Sequence, residues 1–126
     1  MNKQLSQNDH IALAKAVITI LDAWKIGPAD QVSLLGLPEG TRPRALAKYR
    51  VATPLPDEPD IRLRIKYLLN IQTSLDTLFP HNTMMANYWV TTEIPYFNNQ
   101  SPLQLMLNLG LDGIKTVSAH LDGSDY

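Results

Sequence analysis

Apolar residues recur at three- and four-residue steps along most of this chain, and proline or glycine stands wherever the rhythm breaks. Ile11, Ala14, Ile18, Leu21 and Trp24 share one face of a helix predicted over about 9–25. Asn8 or Asp9 is placed to cap it. Gly27-Pro28 ends it and opens a short second helix, with Pro28 at the first position, where a missing N–H costs little. Val32 and Leu35 face inward there, and Gly36 supplies the left-handed stop. Thr41 predicts the cap of a third helix running to about Arg50, with Leu46 and Tyr49 inside. Pro54, Pro56 and Pro59 lie among Asp57, Glu58 and Asp60, which predicts an extended connector. A helix start near Asp57 would put these acids where the helix dipole favours negative charge. Ile61, Ile65, Leu68, Ile71, Leu75 and Leu78 mark the longest helix, which Phe79-Pro80 stops.

Beyond Pro80 the elements shorten. A helix over about 84–90 is expected to bury Met85 and Trp89, followed by a loop to Gln100 with Asn98-Asn99 at a turn. Ser101 caps a helix with Pro102 at its first position, and Leu103, Leu105, Met106, Leu107 and Leu109 leave it almost no polar face. Gly110 ends that helix, and Leu111, Ile114, Val117 and Leu121 carry the last one. No stretch keeps a period of two between hairpin turns. The fold class is therefore all-α: a helix-turn-helix-like trihelical unit, a long helix and three short C-terminal helices. The connector divides the chain into 1–55 and 56–126.

The chain has 126 residues, enough for one domain or two small halves sharing a core. It holds no cysteine, so thiol chemistry and disulfides are excluded. The polar start and the lack of an apolar run of about 18 residues predict a soluble cytoplasmic protein with no membrane partner. A net charge of −1 excludes a chain that is basic throughout. Yet Arg42, Arg44, Lys48 and Arg50 cluster, and residues 28–50 match the parts of a helix-turn-helix transcription regulator. The competing reading is a packing unit with a solvated basic face. Each phosphate contact adds about 0.9 to the salt slope, so one such stripe binds DNA modestly. A homodimer presenting two would bind better, although no heptad seam marks one.

Catalytic chemistry finds no support. His10, His81 and His120 stand far apart, no nucleophile elbow or phosphate loop occurs, and Asp57, Glu58 and Asp60 read as capping groups. No catalytic residue, metal or cofactor is expected. The apolar last third is either core or a surface built to pack on another protein, since Met and aromatic residues recur at binding hot spots. Its candidate contacts are Trp89, Tyr96, Phe97, Pro102, Leu103, Met106, Leu111, Val117, Leu121 and Tyr126.

A set of segments in order resembles a bacterial family. They are Ile20-Leu21-Asp22-Ala23-Trp24, Leu34-Leu35-Gly36-Leu37, Pro54-Leu55-Pro56-Asp57, Arg64 with Leu68-Leu69-Asn70-Ile71, and Leu78-Phe79-Pro80. Trp89, Phe97, Ser101-Pro102-Leu103, Met106 and Gly110 to Gly113 with Val117 and Leu121 continue the series. The chain resembles antitoxins of the Xre/MbcA/ParS type, the partners of RES-domain toxins. The resemblance implies a type II antitoxin with a helix-turn-helix-like front half and a toxin-binding back half. It implies toxins that consume NAD or transfer ADP-ribose, held inactive by covering the approach to the NAD pocket. It also implies promoter DNA as a partner of the toxin complex in some members. The family often has Gly-Gly-Arg before Ser-Pro-Leu and a basic tail. This chain has Asn98-Asn99-Gln100 and an acidic tail.

Overall fold

A computed structural model describes residues 5–123. Its helices are α1 (Gln7–Ala23), α2 (Pro28–Leu35), α3 (Leu46–Val51), α4 (Pro59–Leu78), α5 (Thr83–Trp89), α6 (Pro102–Leu109) and α7 (Leu111–Leu121). Short 3-10 turns at Pro43–Ala45 and Pro95–Phe97 complete the order. Among the described residues there is no strand, only an isolated antiparallel bridge between Ile94 and Gln100. The fold is all-α, as the periodicity predicts.

Local chemistry sets the helix starts, and it moves three of them from their predicted places. Helix α1 begins at Gln7 because Ser6 and Asp9 form a capping box: the Asp9 N–H donates to Ser6 Oγ, and the Ser6 N–H donates to Asp9 Oδ2. Asp9 is thus the third residue of the helix rather than its cap. The Thr41 hydroxyl donates to the Pro38 carbonyl instead of capping α3. Pro43 then begins a 3-10 turn, and α3 proper starts at Leu46. Helix α4 begins at Pro59, because a residue before proline is driven out of the helical region and Glu58 is extended (φ −118°, ψ 139°). The start of α6 is as expected, with Ser101 and Gln104 in a second capping box.

Helix α4 is the centre of the core. Its Ile61, Leu68, Ile71 and Leu75 are buried between α1 and α2 on one side and α7 on the other. Each such side chain contributes about 1.5–3 kcal/mol through burial. Helix α1 supplies Ala14, Val17, Ile18 and Leu21, followed by Trp24, whose Nε1–H donates to Gln72 Oε1 of α4 at 2.7 Å. Helix α3 packs on α1, and α6 packs on α7. At the base of α2 the buried Gln31 amide donates to Asp22 Oδ1 (2.7 Å) and to the Ile26 carbonyl (3.0 Å).

Two glycines make the corner between α6 and α7. Gly110 holds φ +62° and ψ −133°, backbone that a side chain strains. Gly113 sits where a Cβ would lie 2.4 Å from the Leu105 carbonyl oxygen and 2.9 Å from the Met106 Cα. In an open helix, Gly→Ala would stabilise by about 1 kcal/mol. Here the added carbon meets backbone. Gly113→Ala is therefore expected to lower stability by about 2 kcal/mol in urea unfolding. A neutral or stabilising result would show that α6 and α7 are not this close.

A candidate partner-binding surface in the C-terminal third

The segment after α5 folds back through short-range hydrogen bonds. Val90 accepts from the Leu103 N–H at 2.9 Å, and Ile94 exchanges contacts with Gln100 across the loop. Asn98 (φ 57°) and Asn99 (φ 64°) make the turn in left-handed conformation, which Asn tolerates better than most residues. That backbone demand explains how Asn98-Asn99 can stand where the resemblance expects Gly-Gly. The loop brings the Pro95–Phe97 turn against the end of α7.

There His120 becomes the hub of an aromatic cluster. Its ring lies 4.6 Å from Tyr96, 5.0 Å from Phe97 and 6.4 Å from Trp89, centroid to centroid, and it is nearly parallel to the indole. Tyr96 and Phe97 meet edge to face at 5.6 Å. On its other side α7 is tied to α4. Asn70 Nδ2 donates to Ser118 Oγ (2.6 Å) and to Asp122 Oδ2 (3.1 Å), and the Ser74 hydroxyl donates to Asp122 Oδ1 (3.0 Å). The last turn of α7 is thereby fixed between α4 and the aromatic loop.

The expected contact residues divide by depth. Tyr96 is 57 % exposed, whereas Trp89, Leu103, Leu111 and Leu121 are half-buried. Phe97, Pro102, Met106 and Val117 are buried in the core and cannot touch a partner in this arrangement. The tight α6–α7 corner is the reason: with no side chain at Gly113 the helices close over Met106 and Val117. These four shape the surface from beneath. Tyr126 lies outside the described residues.

Helix α5 reverses another expectation. Met85 is exposed and Trp89 only half-buried, while Ala86 and Val90 face the core. Met84 (82 % exposed) and Tyr88 (63 %), which sequence reasoning assigned to no face, are exposed on the same helix as Met85. Small Ala86 and Val90, four residues apart, were the available signal. His120 was also missed as a cluster member, and nothing local marks it.

The basic side chains are all exposed but do not share one regular helix. Arg42 precedes the 3-10 turn, Arg44 is in it, and Lys48 and Arg50 are in α3. Arg50 Nη2 pairs with Asp22 Oδ1 at 2.9 Å, and Lys48 Nζ lies 5.1 Å from the Tyr49 ring centre. Among the described residues, neither Arg42 nor Arg44 pairs with a carboxylate. The acids of the connector are engaged locally: Asp57 pairs with Arg62, and Asp60 with Arg64 at 3.0 Å. Among the described residues, no group of three or more His, Asp or Glu gathers to hold a metal, and no helix is long and apolar enough to cross a membrane.

An aromatic loop clamped on a tight two-helix corner, with exposed Tyr and Met beside it, has the build of a protein-binding domain. Comparison with known families agrees. Residues 74–126 match the family described as Antitoxin Xre/MbcA/ParS C-terminal toxin-binding domain. This part of the chain is thus similar to the toxin-binding domain of Xre/MbcA/ParS-type antitoxins. No curated protein matches it.

The Asp22–Arg50 pair gives a pH signature for the basic face. The hydrogen bond from Arg50 holds the Asp22 carboxyl below its ordinary value; partial burial opposes this, and the Gln31 amide adds to it. A depressed carboxylate contributes stability above the unfolded pKa, and that contribution is lost as pH falls through the folded value. Both side chains are partly exposed, so the pair is worth no more than about 1 kcal/mol. Asp22→Asn is expected to lower the unfolding midpoint at pH 7, with the gap to wild type closing as pH falls below about 4. A gap unchanged down to pH 2 would remove Asp22 from this role.

Proposed function

We propose that the protein is the antitoxin of a bacterial type II pair and that its partner is a RES-domain toxin, which consumes NAD or transfers ADP-ribose from it. The family match over residues 74–126 carries the reading. The geometry supports the mode of action, since the surface formed by Trp89, Tyr96, Leu103 and Leu121 is apolar and aromatic. It neutralises by covering the approach to the toxin's NAD pocket, in the cytoplasm, with no chemistry of its own. A specific interface needs roughly 800 Å² from each partner and a few anchors of about 2 kcal/mol or more. Tyr96 is the strongest single candidate, being exposed and braced on two rings. Residues 56–126 bind the toxin in this reading, and residues 1–55 form the helix-turn-helix-like unit.

The direct experiment is co-expression with the RES-domain reading frame expected next to this gene. Growth rescue and co-purification are expected, and a toxic partner that neither co-purifies nor is neutralised would sink the proposal. Tyr96→Ala should weaken toxin binding about tenfold or more, with about 1 kcal/mol of stability lost from its contacts with Phe97 and His120. Phe97→Ala should instead cost about 3 kcal/mol of stability, because Phe97 is buried. Equal binding by wild type and Tyr96→Ala would move the anchor elsewhere.

A second reading, a helix-turn-helix regulator using residues 28–50, is favoured by the exposure of Arg42 and Arg44 without carboxylate partners among the described residues. It extends to autoregulation if the toxin complex, or a homodimer, brings two such faces to promoter DNA. Replacing Arg44 and Lys48 with Ala should weaken promoter binding and flatten its salt slope by about 2, with toxin neutralisation intact. Absence of promoter binding at low salt, by the protein alone and by its toxin complex, would dismiss this role.

A further inference from the structure

Arg64, in the first half of α4, is among the least exposed charges of the described residues: its side chain is only 14 % accessible. Its guanidinium reaches three elements. Nε donates to Asp60 Oδ2 at 3.0 Å, one turn back on α4. Nη1 donates to the carbonyls of Ser33 and Leu34, both at 3.1 Å, at the end of α2, where the Ser33 carbonyl also accepts from the Gly36 N–H. A cation there also complements the helix dipole. Gly36, with φ +72°, ends α2 directly under the side chain: a Cβ on it would lie 2.7 Å from Arg64 Nε. On the far side, Nη2 lies 3.3 Å from where a Cβ on Gly110 would be. The guanidinium fills the space between the last turn of α2 and the α6–α7 corner, and both glycines leave room for it.

We propose that Arg64 is a positioning residue that couples the α6–α7 corner to the N-terminal unit. The inference rests on the reading of the C-terminal third as the toxin-binding face. Arg64 lies outside residues 74–126, so the family match says nothing of it. Helices α2 and α6 are in contact, but it is the guanidinium that bridges the carbonyl end of one to the glycine corner of the other. A change in the angle between α6 and α7 displaces Nη2 and is felt by the hydrogen bonds to Ser33 and Leu34. Toxin held across Leu103 of α6 and Leu121 of α7 fixes that angle and therefore tightens the end of α2, the helix that leads into the basic stripe.

Amide hydrogen exchange on the full-length protein, free and saturated with toxin, tests this. The reporters are the amides of Gly36 and Leu37, which donate to Ser33 and Val32 at the α2 terminus, and those of Gly110 and Ile114 at the corner. The variant is Arg64→Lys, which keeps the charge beside Asp60 but cannot span both carbonyls and the corner. In the free protein, Arg64→Lys should speed exchange at both reporter pairs about fivefold or more, leaving Ala52 and Thr53 beyond α3 unchanged. With toxin bound, wild type should slow exchange at Gly36 and Leu37 by a similar factor, and Arg64→Lys should lose that effect while still binding. Free-protein exchange that rises at only one pair, or at every amide alike, overturns the coupling. So does wild-type α2 exchange that ignores saturating toxin. If no toxin binds wild type, the functional reading fails, and the free-protein arm still decides whether Arg64 couples the two ends.

Discussion

Helix α4 has to satisfy several neighbours along one buried stripe, and the rest of the molecule follows from that demand. A helix of 20 residues is about 30 Å long, enough for one apolar stripe to be covered by more than one neighbour. Here Ile61, Leu68, Ile71 and Leu75 are enclosed by α1 and α2 from one side and α7 from the other. Removal of either neighbour exposes apolar surface that water penalises at roughly 25 cal/mol per Å². The extended connector is a boundary in backbone conformation, but the core crosses it without interruption. Trp24 bonds Gln72 across it, and Arg64 bonds Ser33 and Leu34. A division of labour between the halves would therefore be one of surfaces on a shared core.

The C-terminal third solves a different problem, how a small set of short helices can be both packed and adhesive. The two-glycine corner brings α6 and α7 so close that Met106, Ile114 and Val117 are wholly buried. That leaves the aromatic loop and the outer side of α5 to face outward. Large side chains in the corner contribute stability, while those on the loop and α5 stay exposed to solvent in the free chain. The polar ties from Asn70 and Ser74 keep the end of α7 in register with the loop. His120 can then serve three aromatic neighbours at once.

Much of this was legible in the sequence because long helices repeat their signal. The apolar stripes of α1 and α4 run over several turns, so most of their inner faces follow from spacing, although Leu78 at the end of α4 is exposed. Pro28, Gly36 and Ser101-Pro102 mark the boundaries of α2 and α6 through local stereochemistry. Reading failed where the signal was short or degenerate. Helix α5 spans only two turns, so Met85 and Ala86 were equally plausible inner residues by period. Helix α6 is apolar nearly all round, which hides Met106 as the buried side chain among four leucines. The sequence placed Phe97 and Tyr96 together, but only the turn at Asn98 and Asn99 sends one ring inward and leaves the other out. His120 joins them from more than twenty residues away, and no local pattern announces such a contact.

The exposed apolar residues carry a thermodynamic consequence. Helix α5 has seven residues and buries only Ala86, well short of the length at which a helix persists in water on its own. Its order depends on α4 and the loop that follows. A partner that binds only the folded arrangement adds stability in proportion to the logarithm of its concentration over Kd, about 2.7 kcal/mol at a hundredfold excess. That gain is on the scale of the few anchors an interface supplies. In the proposed function, exposed side chains such as Met84, Tyr88 and Tyr96, carried on elements with few buried side chains, would give a partner two routes to affinity, direct contact and the ordering of short helices. The two have separate signatures. Contact is lost by truncating one exposed ring, whereas ordering appears as exchange protection spread over α5 and the loop, including amides the partner never touches.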